Sequence, residues 1–208
     1  MHLLSFLGTG NYQPIVYALD GQAAAATRFA TLAIARLTGA GGVTVLATEK
    51  AEATHWTELS AELDSAGIPA VLLPIPDGAD AAEHWQIFDA VGEAARGHDS
   101  VALDVTHGFR TQPLIGFLSA AFLRATGTAP LDRLLYGAFE ARDSETGIAP
   151  VFDLTSFLAL LDWTSAADQF LATGSADRLA RLLEGTHQRR GRKGLIWSDL
   201  VGFPRSRR

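Results

Sequence analysis

The sequence predicts an α/β protein with a mostly parallel sheet and helices on both faces. Three observations predict it. The runs "HLLSFLG", "GGVTVLATE", "IPAVLLPI" and "DSVALDV" stay apolar throughout instead of alternating, as strands covered on both faces do. Helical patterns separate these runs. The links between strand and helix are short, which is the habit of a doubly wound sheet.

The elements follow in order. "HLLSFLG" is a buried first strand that stops at Gly8. "YQPIVYALDGQ" breaks the alternation and reads as a β-hairpin with its turn at Asp20-Gly21. The first helix lies in "TRFATLAIARLTG". "ATHWTELSAELDSAG" opens with Thr54 as a cap and closes on Gly67. "DAAEHWQIFDAVGEAARG" places Trp85, Phe88 and Val91 on one face and ends at Gly97, and "TQPLIGFLSAAFLRATG" is apolar enough to pack deeper. "LDRLLYGAFE" and "GIAPVFDL" close the sheet as a pair of strands around a turn near Glu145–Gly147. "SFLALLDWTSAADQFLATG" and "SADRLARLLEG" read as two consecutive helices. The expected organisation is a Rossmann-like ligand-binding domain over residues 1–155, a helical appendage over 156–188, and a basic, flexible tail over 189–208.

Composition narrows the function. Hydrophobic residues make up 48% of the chain and charged residues 19%, which suits a compact core. No apolar run reaches about 18 residues, so no membrane span is expected. "MHLLSFLGTGNY" lacks a basic n-region and a small-residue cleavage site, so it does not read as a signal peptide. There are no cysteines, which removes disulfides and thiol chemistry and fits a reducing cytoplasm. Seven basic residues and one acidic residue fall between Arg189 and Arg208, so residues 1–188 carry a net charge of −12. A body that acidic is a poor general nucleic-acid binder, and no direct duplex binding is expected. An anionic ligand would have to be held by a local site.

Two loops could form that site, and both follow strands at the sheet edge where open α/β folds bind ligands. "GTGNY" runs from Gly8 to Tyr12. Its glycines allow close backbone approach to a phosphate, while Thr9 and Asn11 add donors. It lacks the third glycine and the following helix of a dinucleotide fingerprint, so a tight structural turn explains it equally well. The second loop is "LDVTHGFRTQP", Leu103 to Pro113. Asp104, at the strand end, is expected to hydrogen-bond loop backbone or Thr106. Thr106, His107 and Arg110 follow, and Gly108 permits a sharp turn. A helix starting near Arg110 to Pro113 would present its N-terminus to an anion. Hydroxyl, imidazole, guanidinium and helix terminus together make a phosphate site. His2, His55, His84, His98 and His187 show no metal-ligand spacing, and neither metal nor cofactor is expected. No G-x-S-x-G and no Walker "GK[ST]" occurs.

These segments, with "ATEKA", "EHWQIFDAV", "LLYGAFEA" and "PVFDLT", resemble the successive motifs of CRISPR-associated Rossmann-fold (CARF) proteins, in the branch with a D-[IV]-T-H-G-F-R loop. The likeness runs from about Met1 to Thr155. It implies a homodimer that senses cyclic oligoadenylates, the second messengers of type III CRISPR defence. The ring would lie across the two-fold axis, held by Gly8, Thr9, Gly10 and Asn11 and by Thr106, His107, Gly108, Phe109 and Arg110. A two-fold pocket suits an even ring, with four units expected rather than six. "LLDWTSAADQFLATGSADRLARLLEG" resembles the helices that lead into a HEPN-type ribonuclease domain in longer relatives. Only 53 residues follow Thr155, too few for that domain, so this chain is expected to be a stand-alone sensor or part of a longer effector. "RLLEGTH" supplies Arg181 and His187 at HEPN-like spacing, with Gly185 expected to interrupt their helix. Two further readings stay open. The pocket could cleave the ring slowly, with His107 as base or acid and Arg110 stabilising the phosphorane. Alternatively, the chain could bind a different nucleotide.

Overall fold

The computed structural model describes residues 1–190, without the side chains of 185–190. The tail expected from Arg189 lies outside the described residues from 191 onward, as does the His187 side chain; the backbone of Arg189 and Arg190 is helical. The chain divides into two compact units, Met1–Leu158 and a second that begins at Ala159.

The first unit is built on one mixed sheet. Its strands are β1 (His2–Leu7), β2 (Val16–Leu19), β3 (Gln22–Ala23), β4 (Val43–Ala47), β5 (Ala70–Pro74), β6 (Val101–Asp104), β7 (Leu131–Gly137) and β8 (Ile148–Asp153). Their spatial order is β3-β2-β8-β7-β6-β1-β4-β5. The five strands from β5 through β4, β1 and β6 to β7 are mutually parallel, and β8 returns antiparallel to β7. The expected hairpin is present: β2 and β3 pair antiparallel through Asp20 and Gly21, both at positive φ. It extends the far edge by pairing β2 with β8, and Arg133 ties its turn to β8 through Asp20 (2.6 Å) and Asp153 (3.0 Å).

Continuous apolar strands reflect cores on both faces. Along β1, Leu3 and Leu7 join one buried cluster while Leu4 and Phe6 join the other. The first cluster is covered by α1 (Ala30–Thr38) and by Leu59 and Leu63 of α3 (Thr57–Ser65). The second is covered by α4 (Ala81–Ala95) and α5 (Gln112–Thr126). Gly116 on α5 lets that helix settle onto the sheet, because a Cβ there would lie 3.0 Å from Phe6 and 3.1 Å from Val105.

Several boundaries depart from the expectation. The helix expected from Thr54 begins six residues earlier as α2 (Glu49–Ala51), capped by Thr48, whose hydroxyl accepts from Ala51 N–H at 3.3 Å. It passes through a π-helical turn, Glu52–Trp56, into α3. Thr54 is inside the helix, and its hydroxyl donates back to the Lys50 carbonyl. On α4 the buried stripe is Ile87, Val91 and Ala95, which leaves Trp85 exposed and Phe88 half-buried. Only one side of α5 packs deep; Leu114, Leu118 and Phe122 are 67%, 59% and 50% exposed. The second unit comprises most of α6 (Thr155–Thr173) and all of α7 (Asp177–Arg190). α7 continues through Gly185, where interruption was expected; one glycine costs a helix only about 1 kcal/mol. Among the described residues, no helix is long and apolar enough to cross a membrane.

Candidate functional site

The parallel strand order reverses between β1 and β6. The chain winds from β1 to β4 and β5, then crosses to β6 and β7 on the other side. Ligands of open α/β sheets bind at the C-terminal strand ends beside such a reversal. The loops after β1 and β6 are the two singled out from the sequence, and they meet there.

Their contact is backbone against backbone. Gly8 is buried, and a Cβ on it would stand 2.5 Å from the His107 carbonyl oxygen. Only glycine permits this approach, so its role here is loop-to-loop packing. Gly8 N–H donates to the Tyr12 hydroxyl at 3.0 Å, and the Tyr12 ring stacks on His107 with centroids 3.8 Å apart. Burial pushes the Tyr12 pKa up to about 12, so the phenol keeps its proton.

His107 faces inward. Its Nε2 accepts the Ala30 N–H at 3.1 Å, capping the first turn of α1. An amide N–H can only donate, so Nε2 is unprotonated and the ring proton sits on Nδ1. Burial pushes the His107 pKa down to about 3, with His55 adding to the shift. The positive end of α1 acts in the same direction. His55 comes from the π-helical turn, and its Nε2–H donates to the Gly10 carbonyl at 2.9 Å. π-Helical turns recur at functional sites. The one here sets His55 against the β1 loop.

Asp104 also faces inward and is fully buried. It accepts from the Ser5 hydroxyl (2.7 Å), Thr106 N–H (2.9 Å) and the Thr106 hydroxyl (2.5 Å). With the Ser5 proton directed at Asp104, the Thr31 hydroxyl donates to Ser5 at 2.7 Å. The Thr106 oxygen accepts from Gly137 N–H at 2.7 Å, joining the β6 loop to the end of β7. Burial pushes the Asp104 pKa up while the bonds from Thr106 and Ser5 pull it down. The expected bonds from Asp104 to Thr106 are both present.

The outer half of the loop points to solvent. Phe109 is 46% exposed, and the Arg110 guanidinium lies 4.8 Å from its ring centroid. Arg110 has φ 51, the left-handed region where a side chain is strained. Thr111 follows at φ −82, ψ −16, so Phe109 to Gln112 form a β-turn whose first central residue has positive φ. Gln112 N–H donates to the Phe109 carbonyl (3.1 Å), and Phe109 N–H donates to Gln112 Oε1 (2.8 Å). In the β1 loop, Gly10 and Asn11 are exposed and Thr9 is half-buried. Among the described residues, the side chains of Thr9, Asn11 and Arg110 make no hydrogen bond or ion pair. Gly108 packs its α-carbon against Pro113, where a Cβ would lie 3.0 Å from the ring.

The two loops meet through Gly8, Tyr12 and His107, and their residues fall into two groups. Thr106, His107, Gly8 and Gly108 face the protein. Gly10, Asn11, Phe109 and Arg110 are exposed, and Thr9 is half-buried. Sequence reading missed Tyr12, His55, Gln112 and the start of α1 as parts of this site. Among the described residues, no group of three His, Cys, Asp or Glu could hold a metal ion.

No protein-family model matches the chain. It is similar to CRISPR-associated protein MJ1674 of Methanocaldococcus jannaschii, 32% identical over 111 residues. The match covers 51% of this chain and 17% of that protein's length.

Proposed function

We propose that this chain is a sensor module of CRISPR-associated signalling that binds a cyclic oligoadenylate, cyclic tetra-adenylate foremost, in the crevice between the β1 and β6 loops. The observation that carries the reading is the division within those loops. Their inner residues are locked together, and their outer donors, Asn11, Thr9 and Arg110, make no hydrogen bond or ion pair among the described residues. A pre-formed cradle with one exposed guanidinium and one exposed ring suits a ligand with both phosphate and base. Similarity to a CRISPR-associated protein supports the setting. The net charge of −12 over residues 1–188 argues against long nucleic acids and for a small, concentrated anion.

The partner is a second copy. The exposed stripe Leu114, Leu118 and Phe122 starts four residues after Arg110 and runs along one face of α5. A two-fold contact along it would bring two Arg110-bearing loops toward one axis, as an even ring requires. Binding without cleavage is the form the geometry favours. Cleavage needs a base for a ribose hydroxyl, and the one basic nitrogen of His107 is occupied by Ala30 N–H.

Calorimetric titration with cyclic tetra-adenylate, followed by chromatography of the recovered ligand, tests this. The expected result is one intact ring per two chains. Linear products would replace the sensor with a ring nuclease. No heat with either the four- or the six-membered ring would make this a site for another nucleotide.

A further inference from the structure

We infer that Gln112 is a positioning residue that holds the Phe109–Arg110 turn in its ligand-receiving shape; this rests on the function proposed above. Gln112 opens α5 and is 1% exposed. Glutamine is rarely so buried, and here one end of its amide has a defined task. Oε1 accepts Phe109 N–H at 2.8 Å, while the Gln112 backbone N–H returns to the Phe109 carbonyl at 3.1 Å. The four residues from Phe109 to Gln112 are thus closed at both ends.

Closure matters because the turn opposes its own sequence. Its first central residue is an arginine at φ 51, where glycine is the natural occupant. Without the Gln112 acceptor, Arg110 would relax toward negative φ and carry its guanidinium off the Phe109 ring, 4.8 Å away. The other tether is Thr111, whose hydroxyl meets His84 Nε2 at 3.2 Å and holds only the far side of the turn. The second end of the Gln112 amide, Nε2, finds no partner among the described residues. A buried amide kept with one end unsatisfied is costly, and a hydrocarbon of the same size would avoid that cost. The acceptor at the other end is what such a hydrocarbon could not supply. Gln112 therefore acts through Arg110, whose positive φ the closed turn maintains.

The test is a double-mutant cycle read by titration with cyclic tetra-adenylate, with melting temperature measured alongside. Gln112→Leu conserves volume and removes the acceptor; Gln112→Met serves if the leucine variant fails to fold. The expected loss is about ten-fold in affinity on the natural background, from lost pre-organisation. On an Arg110→Ala background the same change should cost less than about two-fold, because the group it positions is gone. An equal loss on both backgrounds, or none on the natural one, overturns the assignment. Binding lost in Arg110→Ala but kept in Gln112→Leu overturns Gln112 alone. Absence of binding by the unaltered chain overturns the functional reading and this inference with it.

Discussion

The two halves of the β6 loop share one stretch of seven residues but face opposite problems. Asp104, Thr106 and His107 form the inner half, and their polar atoms reach Ser5, Gly137 and Ala30 on three other elements. Phe109 and Arg110 form the outer half; both are exposed, and Arg110 is strained. The histidine and threonine of the motif thus bond within the protein, while the arginine stands exposed. Two of them build a platform, and the third stands on it.

The sharpest way to break this contrast is to strike the inner half. Asp104→Ala leaves the Ser5 hydroxyl and two Thr106 donors without their buried acceptor. The expected cost is about 3 kcal/mol or more. For a domain of this size that lowers the melting temperature by roughly 6–12 °C, readable by calorimetry. A melting temperature within a degree of the unaltered protein would show that the network contributes little.

Striking the outer half should do the reverse. Arg110→Ala is expected to weaken ring binding by roughly ten- to a hundred-fold, the loss of one charge-assisted contact. Its melting temperature should stay close to that of the natural chain. Arg110→Gly sharpens the point, since glycine accepts φ 51 without strain. It should lose the same affinity and melt no lower. Unchanged affinity in either variant would remove Arg110 from the ligand.

The smallest effect is a pH slope. His107 titrates near 3 when folded and at its ordinary value of 6.5 when unfolded. Between those values the unfolded chain binds more protons, so this residue's contribution is complete above 6.5 and is lost as pH falls toward 3. The raised Asp104 pKa acts oppositely just above its ordinary 3.8. Comparison with His107→Gln isolates the histidine, because a glutamine oxygen can still accept from Ala30 N–H but does not titrate there. The variant should show a shallower decline in melting temperature from pH 7 to 4. Parallel curves would mean that the imidazole is not buried as described.

Much of this was readable in the sequence, and what was not has physical causes. Strands were legible because each is short, apolar and ended by a turn or cap residue. The hairpin was legible because Asp20-Gly21 has few other uses. Thr54 was mistaken for a cap because Thr48, six residues earlier, offers the same hydroxyl and local pattern does not rank them. The α5 outer face was misjudged for a different reason. Ile115, Ala120 and Leu123 supply one apolar stripe and Leu114, Leu118 and Phe122 another, and periodicity alone does not say which meets the sheet. Both candidate loops are legible from residue type and strand-end position. The roles of Tyr12 and His55 were not, because their partners sit 95 and 45 residues away. Gln112 lay inside the quoted motif, but a helix-start glutamine carries no signal until its burial is known.

The bond from Ala30 to His107 spans 77 residues and implies an order of assembly. On the ribosome the chain emerges from its N-terminus, so β1 and α1 are made first. β1 lies between β4 and β6 in the sheet, and the nitrogen that caps α1 is translated only after β5 and α4. β1 therefore waits for β6 before it is flanked on both sides, and the opening turn of α1 waits for its cap until residue 107 has been made. A nascent chain released before residue 107 would carry the β1 loop without the element that clamps it.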